Sequence, residues 1–200
     1  MRHVSRYLLG AADRRALRWT DGYSLHRIVY DLFEDVRGDD RQSGSGILFA
    51  DKGVRQGVSQ VLILSDRLPR SPRLGTLETR PLPEGFLQAS AYQFEVIVNP
   101  ARRDSRSGKI KPVRGREAIA EWFCERGPRW GFDVHAPSLL VTDVRADRFC
   151  KGGGVATIAR ATLAGFLRVT EREAFIRAVC RGIGRARAFG CGLLQIRPCL

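Results

Sequence analysis

The last nineteen residues, 182–200, constrain this chain more than any other stretch. Two Gly-x-Gly pairs, Gly182/Gly184 and Gly190/Gly192, bracket a five-residue insert that carries Arg185 and Arg187. Glycines at this spacing permit positive φ and let the backbone approach something bulky. Two arginines between them point to phosphate as the bulky group. The order is not that of a Walker loop, because G-x4-G-K-[ST] is absent. Nor is it a dinucleotide fingerprint, since Arg187 stands where the third glycine belongs. Read as local structure alone, the stretch is equally a glycine C-cap followed by a tight turn into a terminal strand.

Charge narrows the partner. The chain has 34 Lys+Arg against 21 Asp+Glu, a net charge of +13, within a composition that is 44% apolar. That apolar fraction suits a folded core, so the charge is not the mark of a disordered tail. An excess of this size repels itself unless a polyanion is near, and nucleic acid is the usual one. An anionic membrane fits less well, because neither a basic amphipathic helix nor a long apolar run is present. Most of the cations are arginine, which suits bidentate phosphate contacts and stacking on bases. The five cysteines (Cys124, Cys150, Cys180, Cys191, Cys199) are odd in number and lack C-x-x-C spacing. Neither a disulfide framework nor a structural zinc site is therefore expected. Residues 1–10 are strand-like and followed at once by charges, unlike a signal peptide, so the expected compartment is the cytoplasm.

Periodicity gives the elements. A first strand is expected over Val4–Leu9, then a helix in which Leu25, Ile28, Val29 and Leu32 form the buried stripe, with Thr20 or Asp21 as its cap. Tyr23, His26, Arg27 and Tyr30 share the adjoining face. A polar loop over Glu34–Gly46 leads to a hairpin of Ile47–Ala50 and Val58–Leu64 around a turn at Asp51–Gly57. One short strand falls near Leu77, and an alternating strand over Tyr92–Val98 ends at Asn99-Pro100. Arg102–Arg116 is the most cationic stretch, and Lys109, Lys111 and Arg114 in it are candidates for phosphate contacts. A helix over Glu117–Glu125 follows. Strands over Leu139–Val144 and Val155–Val169 then flank a basic, glycine-rich loop with Arg148 and Lys151. The last helix is expected to open on a Thr170-x-x-Glu173 capping box and stop at Gly182, before a strand over Leu193–Ile196. The fold class predicted is α+β: tandem ferredoxin-like (RRM-like) domains with a C-terminal glycine-rich loop. The expected divisions are 1–100, a basic interdomain segment over 101–116, and 117–200.

Two stretches carry a family resemblance. The Gly-hydrophobic-Gly pairs with their basic insert, continuing Ala188-Phe-Gly-Cys-Gly-Leu-Leu194, resemble the glycine-rich loop of CRISPR repeat-processing endoribonucleases, closest to the CasE family of type I-E Cascade. Tyr23-x-Leu-His26-x-x-Val-Tyr-x-Leu-Phe33 resembles the first helix of the same family. The resemblance implies that His26 acts in RNA cleavage and that Tyr23 assists. Arg27, Lys109, Lys111, Arg114, Arg148, Lys151, Arg185 and Arg187 are the expected RNA contacts. It also implies that the β-hairpin of the second domain reaches an RNA stem, which proteins recognise by shape and backbone.

The implied partners are the stem-loop of a CRISPR repeat and the other subunits of a Cascade-type complex, with no membrane. In the implied reaction a ribose 2′-OH attacks the adjacent phosphorus, leaving a 2′,3′-cyclic phosphate and a 5′-OH. Such a step asks for a base, an acid and cations on the phosphorane. It requires neither metal nor cofactor, and neither is expected. A rival of another class is a non-catalytic RNA-hairpin-binding subunit of a ribonucleoprotein, since fold does not imply activity. A nearer rival is the processing nuclease of a type IV CRISPR system.

Overall fold

In a computed structural model the protein is described over residues 1–35, 45–151 and 154–199, apart from the side chains of 150, 151, 155 and 156. Most of the expected 34–46 loop and the tip of the second-half hairpin therefore lie outside the described residues.

The first half begins with strand β1 (His3–Leu9), followed by a short helix α1 (Ala11–Ala16) for which the sequence carries no periodic signal. Helix α2 (Gly22–Tyr30) starts at Asp21, whose carboxylate accepts the Ser24 N–H at 2.7 Å. The Ser24 hydroxyl accepts the Asp21 N–H in return at 2.9 Å, so two otherwise orphaned donors are met. Strands β2 (Ile47–Arg55), β3 (Val58–Ser65) and β4 (Thr76–Pro81) complete an antiparallel sheet of order β2-β3-β1-β4. The hairpin turn is tighter than the sequence suggests. β2 runs on through Asp51–Arg55 with a register shift between Asp51 and Val54, so only Gln56 and Gly57 remain for the turn.

Alternation along these strands sorts the two faces. Tyr7, Leu9, Ile47, Phe49, Val61 and Ile63 pack against Leu25, Ile28 and Val29 of α2 and Leu32 just past its end. Leu48, Ala50 and Leu64 face the other way and join the core of the second half. Between β3 and β4, residues 66–75 form irregular chain rather than a helix. They fold back over the end of α2: the Arg67 guanidinium donates to the Glu34 carbonyl at 2.8 Å and lies 5.6 Å from the Phe33 ring centroid.

The second half opens with β5 (Ala91–Val98), then a hairpin of β6 (Ala101–Arg103) and β7 (Ile110–Pro112), then α3 (Arg116–Cys124). Short β8 (Phe132–Val134) precedes two long strands, β9 (Leu140–Lys151) and β10 (Gly154–Val169). Helix α4 (Arg172–Arg181) and β11 (Gln195–Pro198) close the chain. The sheet order is β11-β5-β10-β8, with β9 also paired to β10. Phe94, Phe123, Phe132, Trp122, Trp130 and Phe175 fill its core against α3 and α4.

Three expectations change here. The strand over 91–98, expected in the first half, pairs with β10 and β11 and so lies in the second sheet. The basic stretch that follows it opens as the β6–β7 hairpin, with Ala101 opposite Pro112. Arg145–Lys151, expected as loop, is strand, held by pairing such as Arg160↔Arg145 and Ala156↔Phe149. The cap of α4 is Glu171, not Thr170: its two carboxylate oxygens accept the N–H groups of Glu173 and Ala174 at 2.9 and 2.6 Å. A carboxylate that reaches two helix N–H groups outcompetes a hydroxyl that could reach one. Among the described residues, no helix is long and apolar enough to cross a membrane.

Tyr7 ties β1 to the 66–75 segment through its hydroxyl, which donates to the Leu74 carbonyl at 2.8 Å. Burial, reinforced by Asp13 and Asp31, pushes its phenol up to about 12. A raised phenol favours the folded state fully below its ordinary value of 10.0, and that contribution is lost as pH rises through about 12. Tyr7→Phe should lower stability by about 1 kcal/mol at neutral pH. In urea titrations across the alkaline range, the gap between variant and native protein should narrow towards pH 12.

Candidate active site

The two halves meet where the glycine-rich loop lies against α2. Gly182 ends α4 with φ 75°, and the chain closes on itself through the Ile183 N–H, which donates to the Gly192 carbonyl at 2.9 Å. The Gly192 N–H in turn donates to the Ile97 carbonyl of β5 at 2.7 Å, which fastens the loop to the second sheet. Gly192 has φ 84°, and a Cβ there would sit 2.3 Å from the Ile183 carbonyl oxygen. Glycine is required on both counts. Gly190 (φ 79°) lies so close to the Phe49 ring that a Cβ would approach it to 3.0 Å, whereas Gly184 (φ 70°) has open space around it.

The insert between the glycines forms a single 3-10 turn over Arg187–Phe189. It delivers Phe189 to His26, with ring centroids 5.8 Å apart. His26 also lies 4.1 Å from Tyr30 and 6.2 Å from Tyr23, and Phe149 of β9 stacks on Tyr23 at 6.2 Å and meets Phe189 at 4.8 Å. The half-buried imidazole is thus ringed by two aromatics from its own helix and one from the glycine loop, with Phe149 behind them. Contacts of this kind fix ring orientation at modest energetic gain.

Behind this cluster sits Arg160 of β10, 6% exposed. Its guanidinium donates to the Asp147 carboxylate of β9 at 2.7 Å and to the Gly190 carbonyl at 3.4 Å. Asp147 also accepts from Arg145 at 3.1 Å. One buried cation therefore links the long hairpin to the glycine loop, close to Gly22 at the start of α2. Cys191 lies against it, and burial pushes its thiol up to about 11.

The remaining candidates spread around this centre. Arg185 and Arg187 line a cleft of about 990 Å³ with Arg2, Arg181 and Tyr30, between the glycine loop and the start of β2. Arg187 also donates to the Arg181 carbonyl at 2.8 Å, closing the C-terminus of α4. Arg27 lines a different cavity, on the far flank of α2. Arg148 is exposed on β9. Lys151 belongs to β9, but its side chain lies outside the described residues. Lys111 and Arg114 line a pocket of their own with Arg102 and Arg103. Lys111 pairs there with Asp104 at 2.7 Å and holds that carboxyl down at about 2. Lys109 is exposed in the turn between β6 and β7. The structure brings Tyr23, His26 and the glycine loop together and leaves Lys109 and Lys111 on a separate hairpin, with Arg114 in the link from it to α3. Among the described residues no group of three His, Cys, Asp or Glu side chains could hold a metal ion.

Sequence reasoning missed Phe149, Phe189, Asp147 and Arg160. Arg160 left one signal, as a cation inside a strand that is otherwise small or apolar from Val155 to Leu167 apart from two threonines. Phe149 left none, because the stretch around it reads as a charged loop.

Two antiparallel sheets joined at a histidine-centred seam, with arginine-lined clefts beside it, define an α+β protein suited to a polyanion. The chain belongs to the CRISPR associated protein family, whose model matches residues 3–198. It is 26% identical over 196 residues to the CRISPR system Cascade subunit CasE of Escherichia coli (strain K12), covering 92% of this chain and 96% of that one. In fold it is similar to Thermus thermophilus Cse3 bound to an RNA representing a pre-cleavage complex, with TM-score 0.82, 19% identity and coverage of 98% and 99% of the two chains. It is also similar to Cas6e from Escherichia coli str. K-12, with TM-score 0.73, 22% identity and coverage of 98% and 100%.

Two stability comparisons probe the seam. Gly192→Ala should cost about 3 kcal/mol and Gly184→Ala only about 1 kcal/mol, since both strain φ but only the first also meets backbone. Asp147→Ala should cost about 2 kcal/mol by stranding the buried Arg160, against under about 1 kcal/mol for the exposed Asp143→Ala. Urea unfolding midpoints read all four.

Proposed function

We propose that this protein is an endoribonuclease that binds the repeat stem-loop of CRISPR precursor RNA and cleaves it at one phosphodiester without a metal. The observation that carries the reading is His26, an imidazole held in one orientation by aromatic rings from α2 and the glycine loop. That is the setting a proton-transfer group needs. Family membership and the similarity to a Cascade subunit and to RNA-bound endoribonuclease structures support the same reading.

In the proposed step the ribose 2′-oxygen forms a bond to phosphorus and the bond from phosphorus to the 5′-oxygen breaks. The 2′-hydroxyl proton leaves to a base, and the departing 5′-oxygen gains a proton from an acid. His26 performs one of these transfers and Tyr23 orients or donates beside it. The products are a 2′,3′-cyclic phosphate and a 5′-hydroxyl. Arginines around the seam offset the charge that grows on the phosphorane. Arg185 and Arg148 flank the seam, with Lys151 following Arg148 in sequence, and hold RNA phosphates, as does Arg27 from the other flank of α2; Arg187 both closes α4 and faces the cleft. The β6–β7 hairpin, with Lys109, Lys111 and Arg114, grips the duplex through its backbone without base specificity.

Both halves are read as ferredoxin-like domains, the first over about residues 1–81 and the second over about 91–199. Their matching strand order supports this. β4-β1-β3-β2 in the first corresponds to β11-β5-β10 flanked by β8 and β9 in the second, with the first lacking its second helix. After cleavage the protein stays on the RNA as a subunit of a Cascade-type complex in the cytoplasm.

The test is incubation of the purified protein and His26→Ala with a labelled repeat hairpin in excess EDTA, followed by analysis of the product ends. Single-site cleavage ending in a cyclic phosphate, reduced at least 100-fold in the variant, is expected. Tight binding without cleavage by either protein would instead identify a non-catalytic RNA-binding subunit.

A further inference from the structure

A cavity of about 480 Å³ opens on the flank of α2 next to Tyr23 and away from the glycine loop. Ser24, Arg27, Ile28 and Asp31 line it at helical spacing, so it runs along one side of the helix while Tyr23, His26 and Tyr30 occupy the adjoining side. Arg18 comes from the α1–α2 link, and Arg70 and Arg73 come from the 66–75 segment that stands where a second helix is missing. Four guanidinium groups thus face one cavity against a single lining carboxylate, Asp31. Arg70 is engaged by Glu34 at 2.7 Å, and its proximity lowers the Glu34 pKa. Among the described residues no ion pair engages Arg18, Arg27 or Arg73.

Arg18 is also held with φ 52°, a left-handed conformation that costs a non-glycine residue about 1 kcal/mol. Glycine would make this turn without strain, but it would bring no guanidinium to the cavity. Backbone strain of this kind clusters at functional sites.

We infer that this cavity is a phosphate subsite for the single strand of RNA that continues past the scissile bond, away from the stem. The inference rests on the endoribonuclease reading and extends it to a part of the substrate that His26 does not touch. Every lining residue lies between Tyr7 and Arg73, in the first half, whereas Phe149, Phe189 and the β6–β7 and β9–β10 hairpins lie in the second. A stem gripped by the second half therefore leaves its unpaired continuation to cross α2 at Tyr23 and run over this cavity. Arg27 stands four residues beyond Tyr23, about 6 Å along the axis, which is in reach of the next phosphate. Arginine forks match phosphate oxygens bidentately, and four of them around one cavity favour a phosphodiester over a base.

The test compares native protein with Arg18→Gly/Arg73→Gln, which relieves the strained φ at 18 and alters only exposed side chains. Thermal midpoints establish that both fold. Binding is measured by fluorescence anisotropy with two uncleavable RNAs, 2′-deoxy at the scissile nucleotide, one with a single-stranded tail past the scissile bond and one ending there. The variant should bind the tailed RNA about tenfold more weakly, with a salt slope flatter by about 1 per lost phosphate contact. It should bind the tailless RNA as the native protein does. Equal binding of the tailed RNA by both proteins, or the same loss on both RNAs, would overturn the subsite. Native protein that cleaves its hairpin while the variant is unaffected on tailed RNA would overturn the subsite alone. Native protein that binds neither RNA would sink the nuclease reading and the subsite with it.

Discussion

The seam depends on one buried cation. Arg160 sits 6% exposed between β9 and the glycine loop, and its guanidinium donates to the Asp147 carboxylate and the Gly190 carbonyl, while among the described residues its Nε finds no partner. A guanidinium taken out of water is tolerable only when it is paired and hydrogen-bonded, so this geometry has little freedom to vary. Because its partners lie on two elements distant in sequence, satisfying it forces the long hairpin and the glycine loop into one arrangement. That arrangement puts Phe149 and Phe189 beside each other and against the helix that carries His26.

The glycines serve the same end by a different route. Gly182 and Gly192 adopt positive φ where a side chain would strike Leu48 or the Ile183 carbonyl, so they let the chain turn back on itself at the end of α4. Gly190 lets the loop settle on Phe49 of the first sheet. Their direct physical work is to let two sheets and a helix approach within backbone distance, and the arginines between them face the cleft this closure leaves.

Much of this was legible in the chain. The α2 helix and its buried stripe follow from 3.6-residue spacing, which is local, and the sequence narrowed its cap to Thr20 or Asp21, of which the structure uses Asp21. The strands of the first sheet and the long strand over 155–169 follow from alternation. The misreadings were also of one kind. β5 alternates as a strand whichever sheet it joins, so its assignment to the first half rested on chain order, and pairing with β10 and β11 decided otherwise. Arg145–Lys151 reads as loop because its charges hide the extended backbone that pairing with β10 imposes.

By itself the sequence determined that this is a basic α+β protein, that Tyr23 and His26 share one helix face, and that a positive-φ loop ends the last helix. Periodicity and glycine stereochemistry act over a few residues and need no partner. Tertiary structure alone decided which sheet β5 joins, that Arg160 is buried, that Phe189 meets His26 while Phe149 stacks on Tyr23, and that Arg18, Arg27, Arg70 and Arg73 converge on one cavity. Those facts depend on contacts between residues dozens of positions apart. Burial and desolvation select such contacts, and no local pattern encodes them.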